Sequence, residues 1–240
     1  MIEPILAIVL SYLEVNELIP LWRSDDNFKI ITQKFIKEFE LKDPTSLLTE
    51  DDIIYLKGVH TINLRNCCFV TDRILEYFKG VYAINLVRRL QITDRGLEHL
   101  KGVHTIYLSC CMQITDRGLE YLKGVHTIDL HFCDEITDRG LEYLKGVHTI
   151  NLSCCHRITD RGLQYLEGVH TIDLHYCDQI TDDGLQYLKG VHSINLSFCN
   201  RVTDRGLQYL KGVHTINLYE CHKITDCGLE YLKGAIIRGH

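Results

Sequence analysis

No apolar run in this chain approaches the ~20 residues needed to cross a bilayer, so no membrane span is expected. The short run Ile5–Leu10 follows Glu3 instead of a basic segment. No small-residue cleavage site follows it, which sets aside a secretory leader. Positive charge is scarce as well. Residues 1–57 hold 6 basic and 11 acidic residues, and residues 58–240 hold 20 and 21, for a net charge of −6. A nucleic-acid binder needs a basic stripe, and none is present. The 11 cysteines include no C-x₂-C pair of the kind that gathers four zinc ligands.

What the chain has instead is repetition. A 22-residue unit opens at Gly58 and again at Gly80, Gly102, Gly124, Gly146, Gly168, Gly190 and Gly212, and Gly234 starts a truncated ninth. A fixed period in this range indicates a solenoid, in which each unit buries its apolar face only against its neighbours. In Gly146–Glu167, Val147, Ile150 and Leu152 are followed by Cys155 and Ile158. Ile150 and Leu152 alternate as a half-buried strand requires, which turns Thr149, Asn151 and Ser153 to the opposite face. Thr159 is a good helix N-cap and Asp160 suits the positive helix end. Leu163 and Leu166 face the core, and Gly162 lets the short helix lie close to the coil beneath. Gly168 closes the unit in the left-handed conformation, with Val169 as its apolar partner.

Seven cysteines share one repeat position: Cys67, Cys111, Cys133, Cys155, Cys177, Cys199 and Cys221. Cys133, Cys155, Cys177 and Cys199 each have two like neighbours one coil away, which is no pairing scheme for disulfides, so free thiols in a reducing, cytoplasmic compartment are expected. Each buried thiol can donate to a backbone carbonyl where the chain leaves its strand. Cys154, one residue earlier, is expected to point outward. Residues 49–57 align with the helical half of a unit and read as a half-repeat. At the other end residues 235–240 begin a strand with no polar capping unit after it, so the last coil is expected to fray or to be covered.

Residues 1–44 lack the repeat. Ile5, Leu6, Val9, Leu10 and Leu13 recur at helical spacing, followed by Leu18, Ile19 and Leu21. Phe28, Ile31, Phe35, Ile36 and Phe39 form a second helical pattern, and Lys42-Asp43-Pro44 reads as a hinge. The pattern Ile5-Leu6-Ala7-Ile8-Val9-Leu10-Ser11-Tyr12-Leu13, then Glu17-Leu18, resembles the first half of an F-box. The C-x-x-I-T-D-x-G-L sequence, standing at Cys111–Leu119, Cys133–Leu141, Cys155–Leu163 and Cys177–Leu185, resembles the cysteine-containing repeats of F-box/leucine-rich-repeat proteins. A fifth copy, Cys199–Leu207, has Val202 in place of the Ile. The whole is similar to such proteins carried by giant amoebal viruses, although Met1-Ile2 replace the family's Leu-Pro start and the repeats are shorter than usual. The resemblance implies an α/β leucine-rich-repeat solenoid over residues 45–240 behind an F-box-like helical segment, residues 1–44. It also implies a Skp-type adaptor docked on Ile5, Leu6, Val9, Leu10, Leu13 and Leu18, within a cullin-type ubiquitin ligase. A plain interaction scaffold with no ubiquitin link is the alternative.

Differences between copies concentrate on the concave strand and the loop after it. The middle concave position reads Asn63, Asn85, Tyr107, Asp129, Asn151, Asp173, Asn195, Asn217. Two residues on, it reads Arg65, Val87, Ser109, His131, Ser153, His175, Ser197, Tyr219, and the next reads Asn66, Arg88, Cys110, Phe132, Cys154, Tyr176, Phe198, Glu220. Aromatics interleaved with polar groups on a rigid sheet suit protein recognition. The expected target-binding residues are Asn63, Arg65, Tyr107, Asp129, His131, Phe132, Asp173, His175, Tyr176, Phe198 and Tyr219. Asp129/His131 and Asp173/His175 have the makings of acid–base pairs, but they recur every second copy where a catalytic site is unique. No catalytic residue, metal or cofactor is therefore expected. The histidines His60, His104, His126, His148, His170, His192 and His214 are expected to be solvated imidazoles copied with the repeat along one exposed edge, the alternative being a pH-responsive or metal-decorated edge.

Overall fold

The computed structural model describes residues 2–13, 15–35, 37–40, 49–65, 67 and 69–239. Ten three-residue strands form one parallel sheet in chain order. They are β1 (Glu38–Glu40), β2 (Thr61–Asn63), β3 (Ala83–Asn85), β4 (Thr105–Tyr107), β5 (Thr127–Asp129), β6 (Thr149–Asn151), β7 (Thr171–Asp173), β8 (Ser193–Asn195), β9 (Thr215–Asn217) and β10 (Ile236–Arg238). Neighbouring repeats pair without slippage, Ile128 opposite Ile150 and Ile150 opposite Ile172. The register is fixed because a shift of one residue would turn every isoleucine out of the core. Even the last strand is paired, Ile237 opposite Ile216.

Each coil continues from its strand through a turn into a four-residue α-helix and a three-residue 3₁₀ turn, as at Asp160–Leu163 and Gln164–Leu166. Val147, Ile150, Leu152, Cys155, Ile158, Leu163 and Leu166 are all at most 3% exposed, and the same positions in neighbouring coils make one continuous core. Gly168 sits at φ +81°, the left-handed region glycine enters freely. A Cβ at Gly162 would come within 2.5 Å of Asp138 Oδ1 in the preceding coil, which is why glycine stands there.

The N-terminal segment folds as three helices, α1 (Ile2–Ser11), α2 (Val15–Ser24) and α3 (Asp26–Phe35). Their shared core contains Leu10, Leu18, Ile19, Trp22 and Ile31, with Trp22 Nε1 donating to buried Thr32 Oγ1 at 2.9 Å. One expectation is corrected here. Phe39 does not continue a helical pattern; it lies on β1, pairs with Ile62 and packs near Trp22. The helical segment therefore supplies the first strand of the sheet, where β-branched and aromatic residues fit better than in a helix. Ile36 and the expected hinge Lys42-Asp43-Pro44 lie outside the described residues.

Candidate functional site

The concave face is built on a turn that every coil repeats. In seven coils an Asn or Asp ends the strand, and its Oδ1 accepts the backbone N–H two residues on. Examples are Asn63 to Arg65 (3.1 Å), Asp129 to His131 (2.9 Å), Asn151 to Ser153 (2.9 Å), Asp173 to His175 (2.9 Å) and Asn217 to Tyr219 (3.1 Å). This is the turn-forming habit of short amide and carboxylate side chains. Asn63, Asp129 and Asp173, expected as target contacts, therefore hold the turn first. Tyr107 takes this place in the third coil and is exposed.

The residue after the turn is strained. Arg88, Cys110, Phe132, Cys154, Tyr176, Phe198 and Glu220 all lie at φ between +57° and +62°. From Arg88 to Phe198 their N–H groups bond across to the next coil, Tyr176 to the Ser197 carbonyl at 3.0 Å and Phe198 to the Tyr219 carbonyl at 2.9 Å. That bond holds bulky side chains in a conformation that costs about 1–3 kcal/mol each. Nothing in the residue pattern announces the positive φ, since glycine or asparagine would be the ordinary occupant. Asn66, the first member of this column, lies outside the described residues.

The strain presents rings. Tyr176 and Phe198 stack with centroids 4.2 Å apart and planes 9° from parallel. His175 meets both edge-on, at 4.7 and 5.4 Å, and Tyr219 closes the strip 5.5 Å from Phe198. Tyr176 and Tyr219 remain exposed. Phe132 with His131 makes a smaller copy two coils earlier. Arg65 is exposed near the other end, with no ring of this strip beside it.

The carboxylate–imidazole pairs are not assembled. Asp129 Oδ1 binds the His131 main chain, while the His131 ring turns to Ser153 Oγ at 2.7 Å. Asp129 Oδ2 instead accepts from Ser109 Oγ at 2.6 Å, and Asp173 Oδ2 from Asn195 Nδ2 at 3.1 Å. Among the described residues no three His, Cys, Asp or Glu side chains converge as metal ligands.

The cysteine column is a spine. Cys155 Sγ donates to the Leu130 carbonyl at 3.1 Å, and Cys111, Cys133, Cys177, Cys199 and Cys221 repeat the bond. Burial pushes the Cys111 thiol up to about 11 and the Cys155 thiol up to about 12, far from a reactive thiolate. The ten described cysteines are free thiols. Cys154 corrects an expectation of exposure: it is only 7% exposed. The neighbouring coils place Phe132 and Tyr176 on either side of it.

The histidine column lies exposed or half-exposed along one edge, as expected, and its rings are also stacked, which the sequence pattern does not announce. From His60 through Tyr82, His104, His126, His148, His170 and His192 to His214, successive rings stack at 4.3–4.7 Å. Tyr82 completes the row, a role invisible to a search for histidines. Parallel strands bring identical side chains to one spacing, and flat rings there stack.

The candidate adaptor residues separate. Leu10 and Leu18 are 1% and 3% exposed and belong to the cap core, which removes them from an open docking surface. Leu6 and Leu13 are half-buried against that core. Val9 lies on α1, with its side chain outside the described residues. Ile5 and Ile8, three apart on α1, are exposed, and so is Tyr12 in the turn just after the helix, giving an apolar patch. Ile8 and Tyr12 were missed because the sequence pattern assigns the helix a single apolar face, and this helix has two. No described helix is long and apolar enough to cross a membrane.

Comparisons with known proteins agree with this architecture. Residues 147–166, 169–189 and 191–211 match the leucine-rich-repeat family profile. No curated protein matches the sequence. Among solved structures, an internalin (inlF) from Listeria monocytogenes is similar over 87% of this chain and 61% of its own, with TM-score 0.63 and 19% identity. Internalin C2 from the same organism is similar over 82% and 86%, with TM-score 0.59 and 22% identity. The yeast Rad7 and Elc1 complex contains a chain similar over 89% and 77%, with TM-score 0.52 and 14% identity. At these identities the likeness is one of fold. By its matched repeats and its single ten-stranded sheet, the chain is a leucine-rich-repeat solenoid of cysteine-containing repeats.

Proposed function

We propose that this chain is a non-enzymatic receptor that binds a target protein on its concave face. The observation that carries this reading is the strip Tyr176–Phe198–Tyr219. Its first two rings are held in left-handed backbone, yet Tyr176 and Tyr219 stay exposed. The left-handed turn recurs in every coil from Arg88 to Glu220; what sets the coils of Tyr176 to Tyr219 apart is the stacked, exposed aromatic strip they present, the kind of patch that anchors a protein partner. The receptor reading extends to the N-terminal cap, where Ile5, Ile8 and Tyr12 would dock a Skp-type adaptor of a ubiquitin ligase. Support for the extension is the F-box-like spacing and the exposed patch. The yeast Rad7 structure, solved as a complex with Elc1, has a similar fold. Leu10 and Leu18, buried under that patch, favour the scaffold alternative, in which the helices only seal the first coil.

The test is co-purification and titration with a Skp-type protein. Binding of the wild-type chain, abolished by Ile5→Asp with Ile8→Asp while the solenoid melts unchanged, supports the ligase role. No association at tens of micromolar, an affinity weaker than about −6 to −7 kcal/mol, removes the ligase role and keeps the scaffold. The receptor itself is tested by Tyr176→Ala with Phe198→Ala. Proteins captured from a lysate by the wild type and by this variant alike would end the assignment of the concave face.

A further inference from the structure

In seven coils the turn that ends the strand uses one side-chain acceptor oxygen. Asn63, Asn85, Asn151, Asn195 and Asn217 supply it without charge. Asp129 and Asp173 supply the same bond and add a negative charge that the turn does not require. Neither charge is neutralised within the described residues. Their second oxygens meet only Ser109 Oγ and Asn195 Nδ2. From β4 to β9 the concave positions contain no lysine or arginine; their only charged groups are Asp129, Asp173 and Glu220, the last paired with His222 at 2.9 Å. Basic groups stand at the opposite end, at exposed Arg65 and Arg88.

Resting on the receptor reading above, we infer that the target presents an extended cationic segment. Two lysine or arginine side chains engage Asp129 and Asp173, and an apolar or aromatic side chain beyond them seats on Tyr176–Phe198–Tyr219. The spacing sets the pattern. The two aspartates are two coils apart, about 9.5 Å at ~4.7–4.9 Å per strand. A polyproline-II segment advances ~3.1 Å per residue with three residues per turn. Side chains three apart therefore lie on one side, about 9.3 Å from each other. A β-strand would turn the same two residues to opposite faces. Lys/Arg-x-x-Lys/Arg in an extended conformation is the match, with the aromatic strip giving cation–π or apolar contact next to the second charge. Arg65 and Arg88 repel such a segment from the other end and fix its register.

The test is selection from a random twelve-residue peptide display library on the full chain, followed by fluorescence titration of the recovered peptides. Expected peptides contain two basic residues three apart and an apolar residue beside them. Asp129→Asn with Asp173→Asn, which keeps both turns, should weaken them at least tenfold without lowering the melting temperature. On the unmodified chain, raising salt from 50 to 500 mM should weaken them at least fivefold. Peptides that need Tyr176 and Phe198 but lack basic residues, or ignore both salt and the double Asn variant, would overturn the charge assignment and leave the receptor standing. Peptides indifferent to Tyr176→Ala with Phe198→Ala would sink the receptor reading itself. Enrichment no greater than on an unrelated solenoid counts against both.

Discussion

The Asp138 carboxylate reaches up one coil and holds Thr159, accepting its N–H at 2.8 Å and its hydroxyl at 2.6 Å. The same double bond joins Asp72 to Thr93, Asp94 to Thr115, Asp116 to Thr137, Asp160 to Thr181, Asp182 to Thr203 and Asp204 to Thr225. Each helix start is thus tied to the coil before it.

This spine predicts a coupling between Asp138 and Gly162. Asp138→Ala should cost about 2–3 kcal/mol, because two charge-assisted bonds are lost. Gly162→Ala should also destabilise, since its Cβ would meet Asp138 Oδ1 at 2.5 Å, outweighing a propensity gain of ~1 kcal/mol. In the Asp138→Ala background the shortest contact is gone, leaving only the end of the Leu141 side chain at 3.0 Å, and Gly162→Ala should cost clearly less than in the wild type. Urea melts of the four proteins decide it; simple additivity would refute the spine.

A second prediction separates adjacent thiols. Cys155→Ser should cost about 1–2 kcal/mol, placing a more polar group in a tight apolar site. Cys154→Ser should cost a smaller but measurable ~0.5–1 kcal/mol, because Cys154 is covered by its neighbours and not free in solvent. In the native protein a thiol reagent should modify exposed Cys227 and half-buried Cys110 first. Rapid native modification of Cys155 would contradict its burial and its raised pKa.

Much of this fold was legible because the period is written in the residues. Val147, Ile150, Leu152 and Cys155 give the strand and its inward face by alternation alone, and Gly168 gives its cap. The contacts between coils were less legible. Asp160 looks like an ordinary first-turn acid until the next coil is in place, when its carboxylate goes to Thr181 instead. Stacking of His148 on His126 likewise depends on a neighbour 22 residues away. For the site, variation located the concave columns, but not the backbone strain at Phe132, Tyr176 and Phe198. On α1, periodicity found the face that the cap buries through Leu10 and, of the one it exposes, only Ile5.

A third prediction concerns the joint between cap and solenoid. The first half-coil has no preceding coil to supply an aspartate, and Asp52 takes over from within, accepting from Thr49 N–H at 2.9 Å and Thr49 Oγ1 at 2.7 Å. Arg23 on α2 reaches the same carboxylate at 2.6 Å. Burial pushes the Asp52 pKa up, yet the hydrogen bonds from Arg23 and Thr49 more than offset it and leave the carboxyl below its ordinary value. The folded value is thus below the unfolded one, so the contribution is complete above the unfolded pKa and lost as pH falls through the folded one. Arg23→Ala should loosen the cap, seen as faster hydrogen exchange in α1–α3 with little change in the central coils. Uniform loss across all coils would show that the pair does not act as a local joint.

The last prediction concerns the ring stack. His192 lies between His170 at 4.5 Å and His214 at 4.7 Å. Burial, then the neighbouring imidazoles of His170 and His214, hold its pKa below the ordinary histidine value. A basic group with a depressed folded pKa takes up its proton more readily when unfolded. The stability it contributes is therefore intact above the unfolded pKa and declines as pH falls toward the folded one. Tyr82 occupies an equivalent place in the row and stacks at 4.6 and 4.3 Å without gaining a charge. His192→Tyr should accordingly preserve the fold and reduce the loss of stability between pH 7.5 and 5.5. The measurement is the urea midpoint of both proteins at each pH, because Asp52 and the other carboxylates contribute equally to the two and cancel in the difference. A midpoint shift as large in the tyrosine variant as in the wild type would show that His192 carries no part of the acid response.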